Sequence, residues 1–178
     1  MAITKIQSES LNLADDFAFT GTITGAGESN VPAFSVYRNS NQTLTDNVTT
    51  KIQFETKSYD TNSAYDNSTN YRFTVPSGEG GKYFFYLRGR FQKNEIATYH
   101  VGFYKNGSEV AHRFIYSGNV GSSIGTILYF SYDVSCTLNL SANDYIEAYA
   151  KADSTDGGSI TFDGGSIHNE FTGYKLTN

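Results

Sequence analysis

Seven apolar residues, Leu128, Phe130, Tyr132, Val134, Cys136, Leu138 and Leu140, occupy every even position from 128 to 140. A helix would spread such a set around its whole circumference. An extended strand, whose side chains alternate between two faces, gathers it on one side. The same period of two returns along the chain. Phe34 and Val36 open it, Ile52 and Phe54 follow, and Tyr71, Phe73 and Val75 alternate up to Pro76. Val101 and Phe103 precede Lys105-Asn106-Gly107-Ser108, where Asn-Gly is a strong hairpin signal, and Val110 and Phe114 lie beyond it. Ile146, Ala148 and Ala150 form another strand, Ile160 and Phe162 sit between two Asp-Gly-Gly turns, and Phe171, Tyr174 and Leu176 close the chain. No stretch carries a helical period. With 17 Gly and 2 Pro to make turns, eight to ten short strands predict an all-β sandwich or jelly roll over residues 31–178.

One run breaks the alternation. After Ser77-Gly78-Glu79-Gly80-Gly81, the segment Lys82-Tyr83-Phe84-Phe85-Tyr86-Leu87 is apolar on both faces. Such a strand must be covered on both sides. The sandwich core supplies one cover, and a subunit interface is the natural second, so the run predicts an oligomer.

Residues 1–30 read differently. Leu11, Leu13, Phe17, Phe19 and Ile23 fall on odd positions, preceded by Ile6, and the segment runs out into Thr20-Gly21-Thr22-Ile23-Thr24-Gly25-Ala26-Gly27. This is an extended arm with one apolar face, followed by a Gly/Thr linker. A lone ribbon cannot bury that face, so it needs a partner: its own oligomer mates or another protein. The other reading makes it the first strand of the domain.

Charge and cysteine usage exclude several function classes. The net charge is −5, and the 13 basic residues are scattered, so a nucleic-acid surface is not expected. No apolar stretch reaches the roughly 20 residues needed to span a bilayer, and no membrane insertion is expected. The N-terminus lacks the apolar block of a signal peptide, which suggests a product made in a reducing cytoplasm. Cys136 stands alone and reads as a small buried hydrophobe.

Several spacings together carry a family resemblance. Tyr71-Arg72-Phe73-Thr74-Val75-Pro76, then Gly81-Lys82-Tyr83-Phe84-Phe85, resembles the central signature of the globular head of complement component 1, subcomponent q. That head is related to tumour-necrosis-factor-like jelly rolls. Lys105-Asn106-Gly107 resembles the family hairpin. Leu140 followed by Asn143-Asp144-Tyr145-Ile146 resembles its leucine, glycine-aspartate, apolar step, with Asn143 in place of glycine. Phe171-Thr172-Gly173-Tyr174-Lys175-Leu176 resembles its closing strand. The resemblance covers roughly residues 33–176 and implies a ten-stranded jelly roll, a homotrimer and a binding module in place of an enzyme. It marks Tyr71, Phe73, Pro76, Gly81, Tyr83, Phe84, Phe85, Asn106, Gly107, Asp144, Phe171, Gly173 and Leu176 as fold signature and trimer core. The chain departs from the family in having no collagen-like stem and no Trp.

The opening, from Ile3-Thr4-Lys5-Ile6 through Phe17-Ala18-Phe19-Thr20-Gly21-Thr22, resembles the start of many tailed-bacteriophage structural proteins, those of marine phages especially. That resemblance implies a virion-attachment arm joined to an exchangeable display domain. The resulting expectation is a trimeric head fibre or capsid decoration protein on the virion surface, bound to a capsid or tail protein through Ile6, Leu11, Leu13, Phe17, Phe19 and Ile23. A tail-fibre tip that recognises a host glycan or protein is the alternative, and a glycan-cleaving enzyme is the rival from another class.

Candidate chemistry is sparse. Gly121-Ser122-Ser123-Ile124-Gly125 has the spelling of a hydrolase nucleophile elbow, but no helix follows it, so it reads as a glycine-serine loop. His100, His112 and His168 are far apart in sequence without metal-ligand spacing, so no zinc site is expected. Asp153, Asp156 and Asp163 sit among glycines and leave calcium as the one open cofactor, although Asp-Gly is ordinary turn chemistry. Tyr59, Tyr65, Tyr99 and Tyr116, placed in or near loops, are candidates for recognition of carbohydrate or protein.

Overall fold

The computed structural model describes residues 30–93, 96–116 and 129–176. The arm residues Ile6, Leu11, Leu13, Phe17, Phe19 and Ile23, the Gly121–Gly125 loop and Leu128 lie outside them. The described residues form strands and turns and no helix. In chain order the strands are β1 (Ala33–Tyr37), β2 (Gln42–Leu44), β3 (Thr50–Lys51), β4 (Thr56–Asp60), β5 (Tyr65–Asp66), β6 (Arg72–Thr74), β7 (Gly81–Gln92), β8 (Ile96–Lys105), β9 (Ser108–Tyr116), β10 (Tyr129–Leu140), β11 (Tyr145–Ser154), β12 (Ile160–Phe162) and β13 (Glu170–Lys175). They outnumber the expected ten because several are pieces of two or three residues, too short to carry a period.

Two antiparallel sheets face each other. One runs β2-β12-β7-β13-β1-β4, with β10 along the other edge of β7; the second runs β5-β6-β11-β8-β9, with β3 on β11. The alternation read from sequence decides what lies between them. Tyr83, Phe85, Leu87 and Phe91 of β7 point inward, as do Tyr132, Val134 and Leu140 of β10. Phe130, Cys136 and Leu138 pack against the same core, and burial pushes the Cys136 thiol up to about 11. From the second sheet come Val101 and Phe103 of β8 and Ile146, Ala148, Ala150 and Ala152 of β11. The centre is aromatic. The Phe34 ring lies 4.9 Å from Phe73, 5.0 Å from Phe171 and 5.2 Å from Tyr65, in stacked and edge-on geometries that aromatic rings prefer.

Three expectations change. Tyr71 does not open β6: its backbone is left-handed (φ 51°), so it turns the chain into Arg72 and Phe73. Tyr65 and Tyr99 are core residues, 2% and 5% exposed, because β5 and β8 carry them between the sheets; they are removed from the recognition candidates. Val110 and Phe114 do not face the core; both are exposed on β9, where a bulge alters the alternation.

Candidate functional site

The outward surface of the β7 sheet is built by the residues that alternate with the core set. Phe84, Tyr86, Arg88 and Arg90 of β7 are half-buried at the surface of this single chain. Phe84 faces Tyr174 of β13, directly opposite in register, with ring centroids 5.5 Å apart. On the far side, Tyr129 of β10 is 47% exposed and carries the Arg90 guanidinium 4.4 Å above its ring. Ion pairs rim the aromatic centre. Arg88 meets Glu170 at 3.2 Å, Arg90 meets the buried Asp163, and Lys175 meets Glu79 at 3.1 Å. A pocket of about 290 Å³ opens between β7 and β10, lined by Tyr86, Arg88, Arg90, Asp133 and His168 among others. Tyr132 also contributes to the lining, and its hydroxyl, turned into the core, is buried and without a hydrogen-bond partner.

The signature residues other than Tyr71 and Phe84 fall in the core, in turns and at strand ends. Tyr83 is buried and its hydroxyl donates to the Glu79 carbonyl at 2.6 Å; burial pushes its phenol up to about 12. The Pro76 carbonyl accepts from the Glu79 amide, closing the turn that delivers Gly81 (φ 149°) to the start of β7. Asn106 and Gly107 form a two-residue hairpin with both φ values positive, as a type I′ turn requires. Asp144 is the hub beside it, accepting from the Ser141 amide, the Asn106 side chain and the Lys105 ammonium. Those donors hold its carboxyl down to about 2, with Lys105 the largest cause. Asn143, in the place of the usual glycine, adopts φ 70°; after glycine, Asn is among the residues that best tolerate this region. Phe171 is core, Gly173 leaves space that the Phe85 ring fills, and the Leu176 amide donates to the Lys82 carbonyl.

The three aspartates do not come together as a calcium site. Asp163 is paired with Arg90, and Asp156 accepts from Lys93, Ser154 and the Gly158 amide, while Asp153 lies on the outward face of β11. Of the remaining tyrosines, Tyr59 and Tyr116 are exposed on β4 and β9, at 48% and 71%.

The expected separation of the histidines is overturned for two of them. The β8–β9 hairpin brings His100 and His112 together, with ring centroids 4.9 Å apart, and adds Glu109, which the sequence reading missed. His100 Nε2 and Glu109 Oε1 are 2.7 Å apart, and His112 Nδ1 lies 3.6 Å from the same oxygen. Burial pulls the His100 imidazole below its usual value, reinforced by His112 and Lys151 and opposed by Glu109. This cluster is on the second sheet, away from the aromatic face of the first.

No family model matches the chain, and no curated protein sequence matches it. Solved structures do. The Eiger tumour necrosis factor from S. frugiperda superposes with a TM-score of 0.61 at 11% identity, over 82% of this chain and 92% of that one. The globular domain of zebrafish complement 1qA gives 0.55 at 16% identity, over 83% and 98%. Murine APRIL gives 0.58 at 11% identity, over 81% and 98%. The fold is therefore the jelly roll shared by tumour necrosis factors and complement heads.

Proposed function

We propose that this jelly roll is a trimeric display domain, a binding module without turnover, assembled through the outward aromatic face of β7, β10 and β13. The observation that carries the reading is β7 itself. Its inward residues Tyr83, Phe85 and Leu87 already complete a core, yet Phe84 and Tyr86 offer a second apolar surface beside Tyr174. Patches of this kind, rimmed by charged residues, mark association surfaces. Three copies about one axis cover the face on every subunit, and closed cyclic symmetry leaves none of it open.

The setting we propose is the surface of a bacteriophage particle, as a head fibre or capsid decoration protein. The resemblance of residues 3–22 to phage structural proteins supports it, and so does the odd-position apolar pattern of Leu11, Leu13, Phe17, Phe19 and Ile23 in the sequence. Residues 1–27 dock on the capsid or tail, and the trimer presents its loops outward, where three-fold avidity amplifies weak contacts.

The test compares the full chain, a form lacking residues 1–27, and Phe84→Glu, by mass in solution and by binding to purified tailed-phage particles. The reading expects trimers from the first two, monomers from the third, and particle binding by the full chain alone. Monomers after removal of the arm would place the arm in the trimer core and end the anchoring role. A trimeric Phe84→Glu would end the proposed interface.

A further inference from the structure

The strongest unassigned feature is the His100, Glu109 and His112 cluster, and its geometry comes from a single irregularity. The Asn106-Gly107 turn pairs Lys105 with Ser108 and Tyr104 with Glu109. Continued without interruption, that register would pair Val101 with His112, and His112 would share the face of the buried Val101. His100 would then lie on the opposite face. Instead Phe103 pairs with Ala111, Val110 is left unopposed as a β-bulge, and His112 pairs with Gly102. One extra residue thus moves His112 onto the face of His100 and Glu109. Glycine at 102 supplies the room: a Cβ there would stand 2.8 Å from Glu109 Oε1 and 3.2 Å from His112 Cβ.

We propose that His100, Glu109 and His112 bind a divalent transition-metal ion of the zinc class. Each residue offers one ligand atom, and the three atoms lie within 4.8 Å of one another. Tetrahedral ligands at about 2.0–2.2 Å from zinc stand about 3.3 Å apart. The two contacts to the Glu109 oxygen, 2.7 Å and 3.6 Å, bracket that spacing, and the two imidazole nitrogens lie within 4.8 Å of each other. Two imidazoles and a carboxylate form a donor set of borderline softness, suited to zinc over calcium. Three protein ligands leave a fourth position for water or an exogenous donor. A pocket of about 240 Å³, lined by Thr98, His100, His112, Phe114 and Lys151, stands beside the cluster to receive it. Lys151 lies opposite His100 in register. Its charge opposes a bare cation and favours an anionic donor at the fourth position.

The experiment uses the full, untagged chain, freed of metal with a chelator. Cobalt(II) is added as a spectroscopic probe and then displaced by zinc. The proposal expects one ion per chain, visible absorption of a low-symmetry nitrogen-oxygen site, and loss of that absorption on adding zinc. His100→Ala, His112→Ala and Glu109→Gln should each weaken binding at least tenfold, on the scale that ligand-sphere changes produce, while His168→Ala binds as the parent does. Melting without metal reports whether each variant folds, and added zinc should raise the melting temperature of the parent and His168→Ala only. No cobalt or zinc binding by the parent would overturn the site and leave His100 and Glu109 as a hydrogen-bonded pair. Undiminished binding by folded His100→Ala and His112→Ala would do the same.

Discussion

The side chain of Asn106 donates to the Asp144 carboxylate at 2.7 Å, and its own oxygen accepts from the Tyr145 amide at 2.9 Å. One asparagine at the tip of the β8–β9 hairpin therefore clamps the start of β11, 39 residues further along the chain. The hairpin that carries the His100 cluster is anchored at this point.

The clamp makes stability acid-sensitive. The Asp144 carboxyl is held down to about 2 from an ordinary 3.8, so its contribution is complete above about pH 4 and is lost as pH falls through about 2. Asp156, held down by the Gly158 amide and Lys93, acts in the same window and direction. Melting temperature followed from pH 5 to pH 2 should fall, and Asp144→Asn should flatten part of that fall. An Asp144→Asn profile parallel to the parent's would show that the clamp is not a source of the acid sensitivity.

Asn143 tests the left-handed backbone. Asn143→Gly should keep or slightly raise the melting temperature, because glycine adopts φ 70° freely. Asn143→Val should cost about 1–2 kcal/mol, the penalty of that region for a residue with a Cβ. Chemical denaturation of the pair gives the comparison, and equal stabilities would refute the backbone argument.

Gly173 is required by packing. A Cβ there would stand 2.5 Å and 2.8 Å from Phe85 ring atoms and 2.9 Å from Phe34. These rings lie in the centre of the core and have no room to retreat. Gly173→Ala should destabilise by about 1–3 kcal/mol or more, read as a lower denaturation midpoint at unchanged slope.

Asn169 is fully buried and ties three segments together. Its oxygen accepts from the Arg38 amide, and its nitrogen contacts the carbonyls of Arg38, Asp163 and Gly165. Asn169→Ala takes the side-chain partner from the Arg38 amide and the Asp163 carbonyl, at about 1–3 kcal/mol for each group left unsatisfied, while the Arg38 and Gly165 carbonyls keep the Gly165 and His168 amides. Asn169→Asp should do no better, since a carboxylate cannot donate to the carbonyls. Full stability in Asn169→Asp would mean that those carbonyl contacts matter little.

The long strands and their faces were legible because seven or more residues of alternation leave little ambiguity. β10 shows it, whereas β7, apolar on both faces, was legible as a strand but not as to which face turns inward; the Asn106-Gly107 turn was legible from its own chemistry. β2, β3 and β5 were not, since two or three residues show no period; their strand geometry comes from neighbours such as β12 and β11. The His100 cluster was hidden for another reason. Reading Val110 and Phe114 as core assumes an uninterrupted hairpin, and only the bulge reverses it. The sequence carries no sign of the bulge; the exposure of Phe114 shows it only in the structure. Asn169, a polar residue in a short turn before β13, carried no signal at all.

A strand with rings on both faces has given up the usual guarantee of its own alignment. In most strands a slip of one residue exposes the apolar side and is rejected by water. Between residues 83 and 87 of β7 such a slip would exchange Phe84 for Phe85 or Tyr83 and Tyr86 for Phe85 or Leu87, at little cost in hydrophobicity, so that only Arg88 and Arg90, carried inward, would feel it. Along the aromatic segment itself the barrier is steric. Gly173 lies opposite Phe85, and Gly89 lies opposite Tyr132, each glycine leaving the space that a ring occupies. Displaced by one position, each ring would meet a neighbour's side chain where it now finds none. Two missing side chains therefore serve as alignment marks for a strand whose aromatic segment has none in its polarity.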